Sequence, residues 1–203
     1  NMVRSGGDEA VMIIQTVLDV QADNIVMSLI DEQVFQQIGG DYLAVRAHPE
    51  TRDYFLHLFR QQGYQKLATT IEKAASQAAP EPENRPLACA VDDSRMILKI
   101  YRNILYELGY EPVLFEFPAA ALNWLEKEKP AVLFTDLNMP EITGIELVEK
   151  ARQRYPREEL PIIMVTTQNE MQDNEAAFAA GVNDILAKPF TAETLQAAIE
   201  KNR

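Results

Sequence analysis

Four apolar runs in the C-terminal part of the chain each lead into residues that can do chemistry. Leu87–Val91 leads into Asp92-Asp93, Ala131–Thr135 into Asp136, Ile162–Val165 into Thr166-Thr167, and Ile185–Ala187 into Lys188-Pro189. Ala131 to Phe134 carry no charge and read as a strand buried on both faces of a sheet. Such a strand cannot hide a carboxylate, so Asp136 must emerge at its C-terminal edge, where open α/β sheets keep their ligand crevice. In a parallel sheet the other three run ends share that edge. Three carboxylates held close together repel and take up protons unless something compensates. A small hard cation does so, and Mg²⁺ needs only one or two carboxylates plus waters and a phosphate oxygen. Lys188 adds a point charge for an anion, and Thr166 a hydroxyl donor. A nucleophilic carboxylate, a metal and donors to phosphate oxygens are the equipment for phosphoryl transfer to a carboxylate.

Each piece taken alone has a plainer explanation. Asp92-Asp93-Ser94 can cap a helix, Thr166-Thr167 can be ordinary strand residues, and Lys188-Pro189-Phe190 can be a turn. Asp136 alone can be a turn aspartate ahead of Pro140. Their order, at the ends of four alternating strands, favours the joint chemical reading.

The elements that must position these groups follow from the rhythm of the chain. From Pro86 onward, strands expected at Leu87–Val91, Val113–Phe117, Ala131–Thr135, Ile162–Val165 and Ile185–Ala187 alternate with amphipathic helices. The helices are expected at Arg95–Leu108, Ala119–Lys129, Ile142–Tyr155, Met171–Ala180 and Ala192–Lys201, with Gly109 and Gly181 as C-caps. Five such units predict an α/β fold with a doubly wound, five-stranded parallel sheet. Right-handed crossovers point to the flavodoxin-like order 2-1-3-4-5. The chain stops with the fifth helix, so no C-terminal output domain is expected.

Residues 1–79 show no convincing strand and read as a small all-α domain. Residues 1–7 are expected to fray, and Asp8-Glu9 to open a helix striped by Val11, Ile14, Leu18, Ile25 and Leu29. That helix either continues to Ile38 or breaks near Asp23-Asn24, and Gly39-Gly40 is its expected stop. Asp41–Ala47 is a short element of unassigned type, Pro49 starts a helix that Gly63 ends, and a last helix covers Tyr64–Gln77. A bundle this small is marginal by itself and is expected to pack on the second domain or dimerise. Residues 80–85, inside the proline-rich stretch Ala78–Pro86, are the expected linker to a second domain at 86–203.

Bulk properties narrow the function. The formal charge of −12, and −4 over residues 1–79 (six Lys and Arg against ten Asp and Glu), argues against a nucleic-acid surface. Cys89 is the one cysteine, so no intrachain disulfide can form, which fits a reducing compartment. Apolar runs fall far short of a membrane span, and no signal peptide opens the chain. A cytoplasmic protein with no nucleic-acid or membrane partner is expected.

Residues 86–203 resemble the receiver domain of bacterial two-component response regulators. VDDSR, FTDLNMPEITG, MVTT and KPF match that family's four signatures in order and spacing. The resemblance implies that Asp136 takes a phosphoryl group from a phosphohistidine of a sensor histidine kinase or phosphotransfer protein. It implies Mg²⁺ held by Asp93, Asp136 and the backbone carbonyl of Asn138, with Asp92 acting through water. It implies that Lys188 and Thr166 contact phosphoryl oxygens, together with backbone groups of Asn138 and Thr167. It further implies a cis peptide after Lys188, a glycine role for Gly144, and water gating by Asn138 and Gln168. The expected behaviour is switching of protein–protein contacts with an effector, with a homodimer as one form. No enzymatic turnover is expected beyond slow self-phosphorylation and self-dephosphorylation.

Two positions depart from the family pattern. Ile185 replaces the usual aromatic three residues before the lysine, and Phe117-Pro118 replaces an Asp/Asn-Gly turn before the second helix. Ile185 is stiff at χ1, so an aromatic rotamer switch at that position is not expected. A phosphorylation-independent scaffold or docking protein would not need the acid, hydroxyl and lysine set. A phosphatase would need a substrate cap, and the strand-to-helix loops are short. A DNA-binding factor would need a basic recognition helix in residues 1–79. His57, in His57-Leu58-Phe59-Arg60, faintly resembles a phosphotransfer histidine but lacks the small neighbour, since Gln61 is there; a partly buried helix histidine is the simpler reading.

Overall fold

The computed structural model describes residues 2–78, 84–167, 169 and 174–203. The chain divides into two compact units, Asn1–Glu83 and Asn84–Arg203. Most of the expected linker, residues 80–83, lies outside the described residues, as do Gln168 and the expected helix start at Met171.

The first unit is helical: α1 (Met2–Asp19), α2 (Asp23–Leu29), α3 (Gln33–Asp41), a π-helical turn (Tyr42–Arg46), α4 (Pro49–Gln61) and α5 (Gln65–Gln77). The pattern breaks at Gln21, whose φ of 55° turns the chain between α1 and α2. Leu18, Val26, Ile30, Phe35, Tyr42, Leu43, Phe55 and Phe59 form the unit's own core. The Tyr42 hydroxyl donates to the buried Asp19 carboxylate. Pro49 opens α4, and His48 caps it by accepting from the Glu50 N–H at 3.1 Å.

Three expectations for this unit are corrected. The first helix starts at Met2 rather than Asp8. Gly39-Gly40 does not stop a helix; both lie inside α3, which runs on into the π-helical turn. A glycine in a helix costs roughly 1 kcal/mol. Burial of Phe35, Tyr42 and Leu43 on the same stretch outweighs that, at about 1.5–3 kcal/mol for each large apolar side chain. The Gly39 flank lies against Ile14 and Leu18 of α1. His57 is exposed on α4, not partly buried.

The second unit contains β1 (Leu87–Val91), α6 (Arg95–Glu107), β2 (Glu111–Phe115), α7 (Pro118–Leu125), β3 (Val132–Thr135), α8 (Gly144–Arg152), β4 (Ile162–Thr166), α9 (Asn174–Ala180), β5 (Asp184–Ala187) and α10 (Ala192–Lys201). All pairings are parallel, and the order is β2-β1-β3-β4-β5, the doubly wound flavodoxin-like arrangement. Alternate strand residues face opposite layers. Ala88, Ala90, Phe134, Ile163 and Val165 pack with side chains of α6 and α10. Cys89, Val91, Leu133, Ile162 and Met164 pack with side chains of α7, α8 and α9.

β2 is found two residues before the expected Val113–Phe117. It is an edge strand, where Pro112 is tolerated. Phe117 instead takes an extended conformation as the N-cap of α7, with Pro118 as the first helical residue. The helices expected at Ala119–Lys129 and Ile142–Tyr155 are shorter: Leu125 ends α7, and a capping box between Thr143 and Glu146 delays the start of α8 to Gly144.

Candidate functional site

The sheet ladder runs one residue past the strands and pins the site's backbone. The Asp92 N–H donates to the Phe115 carbonyl at 3.1 Å, Asp136 N–H to Val91 at 3.0 Å, and Lys188 N–H to Thr166 at 2.8 Å. Three of the chemistry-bearing residues therefore leave the sheet at one edge with fixed spacing.

Their side chains converge. Asp92, Asp93 and Asp136 each offer a carboxylate oxygen, and these oxygens lie within 4.8 Å of one another. Asp92 and Asp136 are buried while Asp93 is exposed, so the cluster opens to solvent on Asp93's side. The Lys188 ammonium lies 2.7 Å from Asp92 Oδ2 and 3.4 Å from Asp136 Oδ1. Asp92 Oδ1 accepts from the Ser94 N–H at 2.9 Å, and Ser94 Oγ in turn caps α6 on the Ile97 N–H. Helix capping and acid placement thus coexist in one segment. Asp136 Oδ1 accepts from the Leu137 N–H at 2.8 Å.

The electrostatics follow from that crowding. Burial pushes the Asp136 carboxyl up to about 6; Lys188 pulls it down, the Asp92 charge pushes it up, and the Leu137 N–H pulls it down. Burial depresses the Lys188 ammonium, but its hydrogen bond and charge interaction with Asp92, and the Asp136 charge, outweigh this and raise its pKa. One lysine does not offset three acids. The donor set, all carboxylate oxygen and open on one side, suits a hard divalent cation such as Mg²⁺.

The loop after Asp136 is held by burial and by close backbone approach. Leu137 and Met139 point into the core while Asn138 is exposed between them. The Gly144 N–H donates to the Leu137 carbonyl at 2.7 Å. A Cβ at Gly144 would stand 2.0 Å from the Asp136 carbonyl oxygen, so only glycine fits without a shift. Thr166 ends β4, next to β3, and is 1% exposed; Thr167 is exposed just beyond it. The Lys188–Pro189 peptide is cis. Ile185 packs with the α7–α8–α9 side of the sheet.

One residue at the site was not singled out from the sequence. Tyr101 of α6 is fully buried against Phe134 and Phe190. Its only sequence signal was a phenol on the core-facing stripe of a helix, between Leu98 and Leu105. His57 belongs to the helical unit, whereas Asp92, Asp93 and Asp136 all belong to the other unit.

Residues 88–200 match the family model described as the response regulator receiver domain, and no family matches the N-terminal part. A chemotaxis protein CheY homolog of Campylobacter jejuni is 44% identical over 112 residues, which cover 54% of this chain and 86% of that protein. Among solved structures, the chemotaxis response regulator CheY4 of Vibrio cholerae matches with a TM-score of 0.55 at 31% identity, over 59% of this chain and 100% of that one. The receiver domain of the sensor histidine kinase PA1611 of Pseudomonas aeruginosa, with a magnesium ion coordinated in its active-site cleft, matches with a TM-score of 0.53 at 26% identity, over 58% of this chain and 97% of that one. Among the described residues, no helix is long and apolar enough to cross a membrane.

Proposed function

The chain belongs to the response regulator receiver domain family through residues 88–200, and we propose on that basis that it is a phosphorylation-controlled signalling switch with Asp136 as phosphoacceptor. The observation that carries this reading is the convergence of Asp92, Asp93, Asp136 and Lys188 at one sheet edge. An Asp136 oxygen attacks phosphorus in line, the phosphorus–nitrogen bond of a donor phosphohistidine breaks, and the imidazole leaves with the electron pair and takes up a proton. Asp93, Asp136 and the Asn138 carbonyl would hold Mg²⁺, with Asp92 acting through water, and the ion would supply charge neutralisation at the phosphoryl oxygens. Lys188 exchanges part of its contact with Asp92 and Asp136 for a phosphoryl oxygen. The Thr166 hydroxyl and backbone groups of Asn138 and Thr167 donate to the others.

The product is an acyl phosphate, which water hydrolyses to reset the switch. This is a phosphoacceptor and not a turnover enzyme: its self-phosphorylation and self-dephosphorylation are slow. The donor is a sensor histidine kinase or phosphotransfer protein. The phosphorylated form shifts the population of two receiver states that an effector protein or a second copy of the chain reads. A cytoplasmic location suits a chain with its one cysteine buried and no long apolar helix among the described residues.

Incubation with acetyl phosphate and Mg²⁺, followed by intact-mass measurement, tests the reading. The expected result is one added phosphoryl group on wild type and none on Asp136→Asn. An unlabelled wild type, or a labelled Asp136→Asn, would overturn it; the former would favour a phosphorylation-independent docking protein.

A further inference from the structure

Tyr101 sits on the sheet-facing side of α6, with Leu98 and Leu105 in the same core. Its ring is 1% exposed. It packs at 5.6 Å between centroids on Phe134 and at 4.6 Å on Phe190. Phe134 lies two residues before Asp136, and Phe190 two residues after Lys188. One ring therefore bears directly on both segments that carry the nucleophile and the cation. The phenol also lies in the field of the site: burial, then the charges of Asp92 and Asp136, raise its pKa well above the usual tyrosine value. An aliphatic side chain fills part of this volume but offers no flat surface to two aromatic partners. Ile185 packs with the opposite layer of the sheet and does not substitute for it.

We propose that Tyr101 is a positioning residue for phosphoryl transfer, its ring holding the Lys188-bearing turn against β3 so that the ammonium and the Asp136 carboxylate keep their spacing. The inference rests on the phosphoacceptor reading above. Misplacing a catalytic group by about 1 Å costs roughly a hundredfold in rate, so loss of this ring should be visible in the chemical step.

The test uses the full chain with saturating acetyl phosphate and Mg²⁺, reading the first-order rate of Asp136 phosphorylation beside the Mg²⁺ affinity from calorimetry. Tyr101→Phe keeps the ring and should hold the rate within about twofold of wild type. Tyr101→Leu and Tyr101→Met lose the ring and should slow it about tenfold or more, with Mg²⁺ affinity within about twofold. Two ring-free variants are read together so that misfolding of either, seen by circular dichroism, still leaves a measurement. Leu147→Val, in the opposite core layer, controls for stability loss and should keep the wild-type rate. A wild-type rate in a folded ring-free variant would overturn the inference, as would equal slowing in Leu147→Val or in Tyr101→Phe. An unlabelled wild type would instead overturn the phosphoacceptor reading, and this inference with it.

Discussion

The Lys188 ammonium stands 2.7 Å from Asp92, a residue 96 positions earlier in the chain, and 3.4 Å from Asp136. Lys188 is 16% exposed and Asp92 1%, so water screens this pair weakly. Replacing the lysine leaves two buried carboxylates and their exposed neighbour Asp93 without a cation. Lys188→Met should therefore lower stability at pH 7 in a metal chelator by about 1–3 kcal/mol, by analogy with other unpaired buried groups. Added Mg²⁺ should recover part of the loss. Urea denaturation with and without Mg²⁺ measures both. The raised Lys188 pKa means that its contribution is fully present below the ordinary lysine range and fades only as pH rises through the higher folded value.

Asp136 predicts a slope of the same sign at acid pH. Its carboxyl is raised from 3.8 to about 6 in the folded chain. The folded state then holds a proton that the unfolded state has released. Metal-free stability should fall as pH rises from about 4 through about 6, and be level with respect to this group above that. Asp136→Asn cannot ionise, so it should flatten this segment and be the more stable protein at pH 8, by on the order of 1 kcal/mol once partial solvent screening is allowed for. Denaturation midpoints at a series of pH values in chelator give the slope. An unchanged slope in Asp136→Asn would assign it to another group.

The sheet and its chemistry-bearing edge could be read from the sequence because buried parallel strands have an uninterrupted apolar signature. β1 and α10 fall on their expected residues, and the order β2-β1-β3-β4-β5 is as expected. β2 lies earlier than its apolar residues suggest because Phe117 is apolar yet 64% exposed, and composition does not distinguish a strand residue from an N-cap held extended by Pro118. Gly39 and Gly40 lie inside α3 rather than at a stop for a related reason: a glycine stop and a glycine flank look alike until the neighbouring helix is present. Tyr101 and Arg152 are not legible in the sequence because their roles rest in part on contacts with residues 29 to 89 positions away, which no local pattern carries.

Gly144 should tolerate no side chain. A Cβ there would meet the Asp136 carbonyl oxygen at 2.0 Å and both the Asp136 carbonyl carbon and Leu137 Cα at 3.0 Å. All three are backbone atoms that cannot rotate aside. The loop carrying Asn138 would have to move, and the Gly144 N–H to Leu137 bond at 2.7 Å with it. Gly144→Ala should cost about 1–3 kcal/mol as an overpacked site, and weaken Mg²⁺ binding and acetyl phosphate labelling together. Thermal melts beside calorimetric Mg²⁺ titration check the two effects. Unchanged labelling would show that the loop can shift without moving Asp136.

Arg152 closes the far end of α8 with four bonds. Its guanidinium donates to the Gly181 carbonyl at 2.9 Å, to Leu160 at 2.8 Å, to Tyr155 at 3.1 Å and to Asn183 Oδ1 at 2.7 Å. Asn183 Oδ1 also accepts from the Ile162 N–H at 3.0 Å, so one fork ties α8, the start of β4 and the turn after α9. Removing it leaves several carbonyls short of donors, each worth about 1–3 kcal/mol where no water replaces it. Arg152→Ala should destabilise by about 2–4 kcal/mol, and Arg152→Lys should recover less than half, because an ammonium cannot span acceptors arranged for a planar fork. Gly181→Ala should also destabilise, since φ there is +120° and a Cβ would meet Arg152 Cγ at 2.8 Å. The double variant Arg152→Ala/Gly181→Ala should then cost less than the sum of the two single changes, because the clash disappears with the side chain that causes it. Urea denaturation of the four proteins gives the coupling, and strict additivity would place the cost of Gly181→Ala in its backbone conformation alone.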